Sequence, residues 1–187
     1  MSFSVLKPAI VLFLFTAVSA LIVGFMHTIT YEPIAEQALR REQEAVASLI
    51  PLSQANERIA IDLPQDITVY RVDASFDAGG DILGYVFFAA SPGYSGAVRL
   101  LVGFEPDGTV LGVRVISHTE TPGLGSVIAG APFINQFDGL IAPIYRVMNP
   151  QGQNEIAHIA GATMSVDAVL RAVNEAWEIF SQEIGGR

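Results

Sequence analysis

The sequence predicts an α+β protein with a single N-terminal transmembrane helix, a stalk helix, and an antiparallel sheet packed with a C-terminal helix. An uncharged apolar run stands near the N-terminus, segments rich in β-branched residues alternate with turns in the middle, and a 3.6-residue apolar period ends the chain. Strands followed by a helix that covers one face of their sheet are typical of α+β domains. We expect four parts: a short tail (residues 1–8), the transmembrane helix (9–26), the stalk (27–51) and the folded domain (52–187).

The composition argues against several classes of function. The chain has 187 residues, and its 10 basic and 19 acidic side chains give a net charge of -9, which is unsuited to binding nucleic acid. The absence of cysteine excludes disulfides, thiolate metal sites, iron–sulfur ligation and cysteine nucleophiles. Any redox chemistry is therefore expected to come from a bound cofactor.

Residues 9–26 are the predicted membrane anchor. A helix of this length spans about 27 Å, close to the hydrocarbon core of about 30 Å. The alternative is a cleaved signal peptide, because Lys7, the apolar run and the small residues at 17–20 fit one loosely. Lys7 before the run is nearly balanced by Arg40 and Arg41 after it, so charge alone does not predict the orientation.

Residues 31–50 have an approximate helical period that Pro51 ends. Two interpretations remain open for this helix. It is either a stalk that sets the height of the domain above the membrane or a helix packed on the domain itself.

A β-meander is predicted next. The turn Pro106-Asp107-Gly108 has a physical basis, because proline presets φ and glycine accepts a positive φ. Residues 78–81 and 91–94 supply the other turns. The predicted strands are residues 82–90, 97–104 and 109–117.

The final segment is the clearest helix of the chain. Its apolar residues recur at helical spacing and the glycines at 185–186 close it; they are Val166, Val169, Leu170, Val173, Trp177, Phe180 and Ile184.

Two short segments have features of a binding site. Residues 117–125 (SHTETPGLG) leave a strand and form a loop whose glycines and hydroxyls allow close approach to a ligand, although an ordinary turn explains them equally well. Residues 160–165 (AGATMS) precede the C-terminal helix, and three small residues stand before Thr163, so its hydroxyl is little shielded. The N-terminus of that helix supplies free N–H groups, which favour a phosphate. Ser165 is expected to be a plain N-cap.

Together these motifs, TETPGLG at 119–125 and GAT at 161–163, resemble those of the FMN-binding domain shared by the RnfG and NqrC proteins. Those proteins are membrane-anchored components of the Rnf and Nqr ion-translocating electron transport complexes. The order of parts along the chain resembles the family as well. The length favours RnfG over NqrC.

The resemblance implies a specific set of site residues. FMN would be joined through its phosphate to Thr163 by a separate flavin transferase, with FAD as the source. Glu120 and Thr121 would make polar contacts with the flavin and Leu124 would cover it. The remaining residues expected at the cofactor are Gly123, Gly125, Gly161 and Ala162. No catalytic residue is expected, because Thr163 would be only an attachment point.

The resemblance also implies a place in the cell. The chain would be an electron-carrying subunit of a complex that oxidises ferredoxin or NADH and moves Na⁺ or H⁺, rather than a complete enzyme. Its partners would be other membrane and iron–sulfur subunits. The domain would lie on the periplasmic or outer side of the inner (cytoplasmic) membrane, anchored in the bilayer by one span.

Two positions depart from the family pattern. Ala157 stands where an aspartate usually precedes the acceptor threonine by six residues, Glu155 is out of register, and Ala160 replaces the usual serine or threonine. Ala157 leaves open a membrane-tethered scaffold without flavin, and a separate alternative is a stand-alone membrane flavoprotein that reduces extracellular acceptors. A metal or haem site at His27, His118 and His158 is disfavoured by their spacing.

Overall fold

The computed structural model describes residues 3–51, 53–61 and 69–185, and the chain divides into two compact units, Met1–Glu42 and Gln43–Arg187. Helix α1 runs from Phe3 to Leu49 and contributes to both units. The division of the chain into tail, span, stalk and domain stays a prediction.

In the first unit, the stretch Lys7–Thr28 is long and apolar enough to cross a membrane, the one such helix among the described residues. Its large side chains are exposed, with Phe13 at 72% and Phe15 at 74%. The hydroxyl of Thr16 donates to the carbonyls of Leu12 and Phe13, 3.0 and 2.9 Å away, so its polar group is satisfied within the helix.

The second unit is built on a five-stranded antiparallel sheet with strand order β1-β2-β3-β4-β5. This order is the predicted meander, and the three predicted strands are present with ends that differ by up to two residues. Strands β1 and β2 were not predicted individually; the sequence of β1, ANER, is polar and lies at the sheet edge. The strands are β1 Ala55–Arg58, β2 Val69–Phe76, β3 Ile82–Pro92, β4 Ala97–Phe104 and β5 Val110–Ser117.

Helices cover both faces of the sheet. Successive residues Val86, Phe87 and Phe88 on β3 are all fully buried, although strand side chains alternate between faces. Val86 and Phe88 belong to one buried apolar cluster with Val46 and Leu49 at the end of α1. This part of the helix therefore packs on the domain, as one of the two interpretations from the sequence expected.

On the other face lies α3, Thr163–Ile179, followed by a π-helical turn Phe180–Ile184. Its apolar side chains and Phe87 belong to the main core. The rings of Phe104 and Phe180 stack with centroids 5.5 Å apart. The α+β fold class is confirmed.

The N-cap prediction for Ser165 is wrong. Ala162 occupies the cap position, and the helix begins three residues earlier than expected. Gly161, with φ of 81°, turns the chain just before the helix, which makes Ser165 the third helical residue and buries it to 2% exposure.

A long connection joins β5 to α3. It contains the short helix α2, Ala131–Ile134, and the parallel strands β6, Tyr145–Val147, and β7, Glu155–Ala157, none of which was predicted. Each is only three or four residues long, too short to carry a periodic pattern.

Candidate functional site

A cleft of about 360 Å³ lies where the loop after β5, the β3–β4 turn and the first turn of α3 meet. Both sequence motifs line it, although they are some forty residues apart in the chain. The lining residues are Tyr94, Glu120, Thr121, Leu124, Gly125, Gly161, Ala162, Thr163, Met164 and Ser165.

Gly123 is the predicted site residue that does not line the cleft. It has φ of 78°, and its N–H donates to the hydroxyl of Ser126 at 2.9 Å. The amides of Leu124 and Ser126 both donate to the carbonyl of Thr121 at 3.2 Å. Gly123 thus sets the conformation of the loop and does not itself face the cleft.

Thr163 is the first residue of α3 and is exposed, whereas Ala162 before it is buried. Among the described residues no side chain caps this helix end, so the N–H groups of the first turn remain available to a ligand. Thr163 is exposed as a whole residue, as its small neighbours led us to expect. An anion is favoured here by both the free donors and the helix dipole.

Glu120 lies at the base of the cleft, with only 4% of its surface exposed. Its Oε1 accepts the amides of Tyr94 and Ser95 at 2.9 and 3.0 Å, and its Oε2 accepts the hydroxyl of Ser165 at 2.5 Å. Burial alone would raise the pKa of Glu120, but these hydrogen bonds and the nearby charge of His118 hold it below its ordinary value.

Three large side chains form an exposed apolar rim around the cleft. Tyr94 is 71% exposed, Leu124 54% and Met164 57%. Tyr94 and Met164 were missed by the sequence analysis, and the sequence offers no local signal for either. An aromatic and two flexible apolar side chains are suited to covering a flat ring system.

A charged cluster follows Thr163 by one helical turn. Arg146 on β6 pairs with Asp167 at 3.1 Å, and its Nη1 lies 2.6 Å from Nδ1 of His158. Since arginine only donates, the ring nitrogen of His158 is the acceptor. In the described part of the chain no group of three or more metal-binding side chains is placed to hold an ion.

Ala157 is half-buried on β7, and its N–H donates to Oε1 of Gln136 at 2.7 Å. Glu155 does not supply a carboxylate in its place. Its Oε2 accepts the amides of Gln151 and Gly152 at 2.8 and 3.0 Å, which hold the pKa of Glu155 below its ordinary value.

Known proteins are similar to this chain along most of its length. A family model described as FMN-binding domain matches residues 93–178, and one described as RnfG N-terminal region matches residues 1–49. The G subunit of an ion-translocating oxidoreductase complex from Pseudomonas aeruginosa strain UCBPP-PA14 is 33% identical over 95% of this chain and 89% of its own length. The G subunit of the Na(+)-translocating ferredoxin:NAD(+) oxidoreductase complex from Acetobacterium woodii is 26% identical over 94% of this chain and 91% of its own.

Solved structures agree on the fold. The crystal structure of Shewanella oneidensis NqrC has a TM-score of 0.51 and 25% identity, covering 57% of this chain and 54% of that one. The C subunit of the Na(+)-translocating NADH-quinone reductase from Parabacteroides distasonis has a TM-score of 0.53 and 18% identity, covering 69% and 77% of the two chains.

Proposed function

This chain belongs to the RnfG family, the FMN-binding electron-transport subunits of Rnf-type ion-translocating oxidoreductases, and from that premise we propose that it carries FMN covalently on Thr163. One observation carries the proposal. Thr163 is exposed and stands at an uncapped helix N-terminus inside the cleft that joins both motifs.

The residues of the cleft fit FMN by their chemistry. The free N–H groups at the start of α3 suit the phosphate, and the rim of Tyr94, Leu124 and Met164 suits the apolar part of the ring. A volume of about 360 Å³ lies within the range of small-molecule sites. Bound FMN would supply the electron-transfer chemistry, and the tether would keep it in place between donor and acceptor.

The attachment needs no activating base in this chain. In the proposed maturation the oxygen of Thr163 would bond to the phosphorus of the FMN half of FAD, the pyrophosphate bond would break with AMP as the leaving group, and the hydroxyl proton would pass to a base of the transferase or to solvent. A separate flavin transferase would perform this step. The exposure of Thr163 supports it, because the hydroxyl must enter another enzyme's active site.

Covalent attachment is tested on full-length protein purified from native membranes and then denatured. The expected result is an intact mass raised by FMN minus one water, with in-gel flavin fluorescence and a peptide map that places the addition on residue 163. An unmodified mass would contradict covalent attachment.

Replacing Ala157 by aspartate tests whether the departure from the family pattern matters. If the transferase recognises that aspartate, the fraction of modified protein should rise in Ala157→Asp relative to the native sequence. The measurement is the ratio of modified to unmodified intact mass at equal expression, with Ala160→Asp as a control for added charge. If neither the native sequence nor Ala157→Asp is modified, the flavin-free scaffold would be favoured instead.

The chain is also proposed to be a single-pass subunit with its domain on the periplasmic or outer side of the inner membrane. The apolar stretch Lys7–Thr28 and the family support the anchor. Because the native chain has no cysteine, Asp81→Cys at an exposed turn gives one labelling site and the native chain is its control. We expect the protein to stay in the membrane after a carbonate wash. We also expect the Asp81→Cys protein to react with an impermeant maleimide in intact cells or spheroplasts. Labelling that occurs only after lysis would place the domain on the cytoplasmic side.

The partners are proposed to be the other membrane and iron–sulfur subunits of an Rnf-type complex. The names of relatives leave the transported ion open. The Acetobacterium woodii relative is named for Na⁺, whereas a Clostridium ljungdahlii relative, 37% identical over 58% of this chain, is named for protons.

A further inference from the structure

Glu120 is placed differently from the other predicted flavin contacts. It is 4% exposed, and both of its oxygens already accept hydrogen bonds from protein groups. The donors come from the β3–β4 turn, through Tyr94 and Ser95, and from α3, through Ser165. The carboxylate therefore joins two walls of the cleft to the loop that carries it.

The space around Glu120 is closed on both sides by glycine. A Cβ added at Gly93 would overlap Oε1 of Glu120, and one added at Gly125 would overlap Oε2. Neither glycine has a positive φ, so close packing on the carboxylate rather than backbone conformation explains them. The backbone at Gly93 and at Gly125 thus leaves no room for a side chain beside the carboxylate of Glu120.

The surroundings of Glu120 favour its ionised form. Two amides and one hydroxyl donate to it, and His118 adds an attractive charge. A fixed negative charge behind a redox cofactor opposes the addition of an electron to it, and the effect is larger in a partly buried site than in water.

We propose that Glu120 is a positioning residue that holds the cleft together and, through its fixed negative charge, lowers the reduction potential of the flavin without contacting it. The effect on the potential rests on the proposed function, because it requires a flavin in the cleft. The positioning role concerns this chain alone.

The charge is tested with Glu120→Gln in the full-length flavinylated protein. Glutamine keeps the shape and can accept both amides, while the Ser165 hydroxyl reverses to accept from its amide. On the flavinylated fraction, we expect a shift of about tenfold toward reduced flavin in equilibrium with a reference dye. Glu155→Gln is the matched control, because Glu155 also accepts two backbone amides but does not line the cleft; an equal shift in the control, or no shift in Glu120→Gln, would refute the charge effect.

The positioning role is tested without any flavin, in the unmodified Thr163→Val background. Glu120→Ala should lower the melting temperature several degrees more than Glu120→Gln, because alanine leaves two amides without an acceptor. Equal melting temperatures would refute the positioning role. A native protein without flavin would refute the proposed function and the charge effect, and this measurement would still decide the positioning role.

Discussion

Thr163→Val is expected to abolish covalent flavin completely. Valine keeps the β-branched shape at the first helical position but has no oxygen to bond to phosphorus, so the fold is preserved and the modification is lost. The measurement is intact mass with in-gel flavin fluorescence on the denatured protein, beside a circular dichroism melt that shows an unchanged fold.

Thr121→Val is the matched control for this result. Thr121 is also an exposed threonine that lines the cleft, but it is not the proposed acceptor. It should keep the full mass addition. Thr163→Ser should recover part of it, because a hydroxyl is restored. Covalent flavin that survives in Thr163→Val would move the attachment to another residue.

Gly125→Ala is expected to have the largest effect on stability in the cleft. Its Cβ would lie 2.5 Å from Oε2 of Glu120, 2.7 Å from Oγ of Ser165 and 2.9 Å from Cβ of Glu120. Overpacking of this kind costs about 1–3 kcal/mol and sometimes more, and three short contacts place it at the upper end. Flavin content should fall with it, because the contacts that join the loop to α3 are forced apart.

Gly123→Ala separates this clash from the conformational preference of glycine. A Cβ at Gly123 has nothing within 4 Å, but its φ of 78° disfavours alanine. The left-handed conformation costs roughly 1–2 kcal/mol. Urea unfolding of both variants in the unmodified background measures the two costs; a Gly123→Ala loss equal to or larger than that of Gly125→Ala would contradict the clash argument.

The sequence predicted the meander because its turns have local chemistry. Pro106-Asp107-Gly108 and the glycines at 79 and 80 specify chain reversals within a few residues. The helix start was misplaced because serine is a good cap in isolation. The actual start depends on Gly161 and on a long-range partner, since Ser165 donates to Glu120, 45 positions earlier.

The two motifs of the site were likewise predictable, and the resemblance to RnfG is confirmed. The roles of the other cleft residues could not be predicted, because they depend on contacts between segments that are distant in the sequence. Tyr94 belongs to a turn that reads as a simple connector, and only the structure brings its amide to Glu120. The hydrogen bond of Ala157 to Gln136 is a contact of the same kind.

The helix that Thr163 begins is also the main helix of the core. Val166, Val169, Ala172 and Val173 on α3 are fully buried. Amides in the buried turns of such a helix exchange with solvent mainly through large-scale opening of the domain, whereas loops and helix ends exchange through local fluctuations. In the proposed covalent protein, the group on Thr163 would be fixed to the start of this helix, one turn before its buried core residues, and its own freedom would be confined to the rotatable bonds of the ester and ribityl chain.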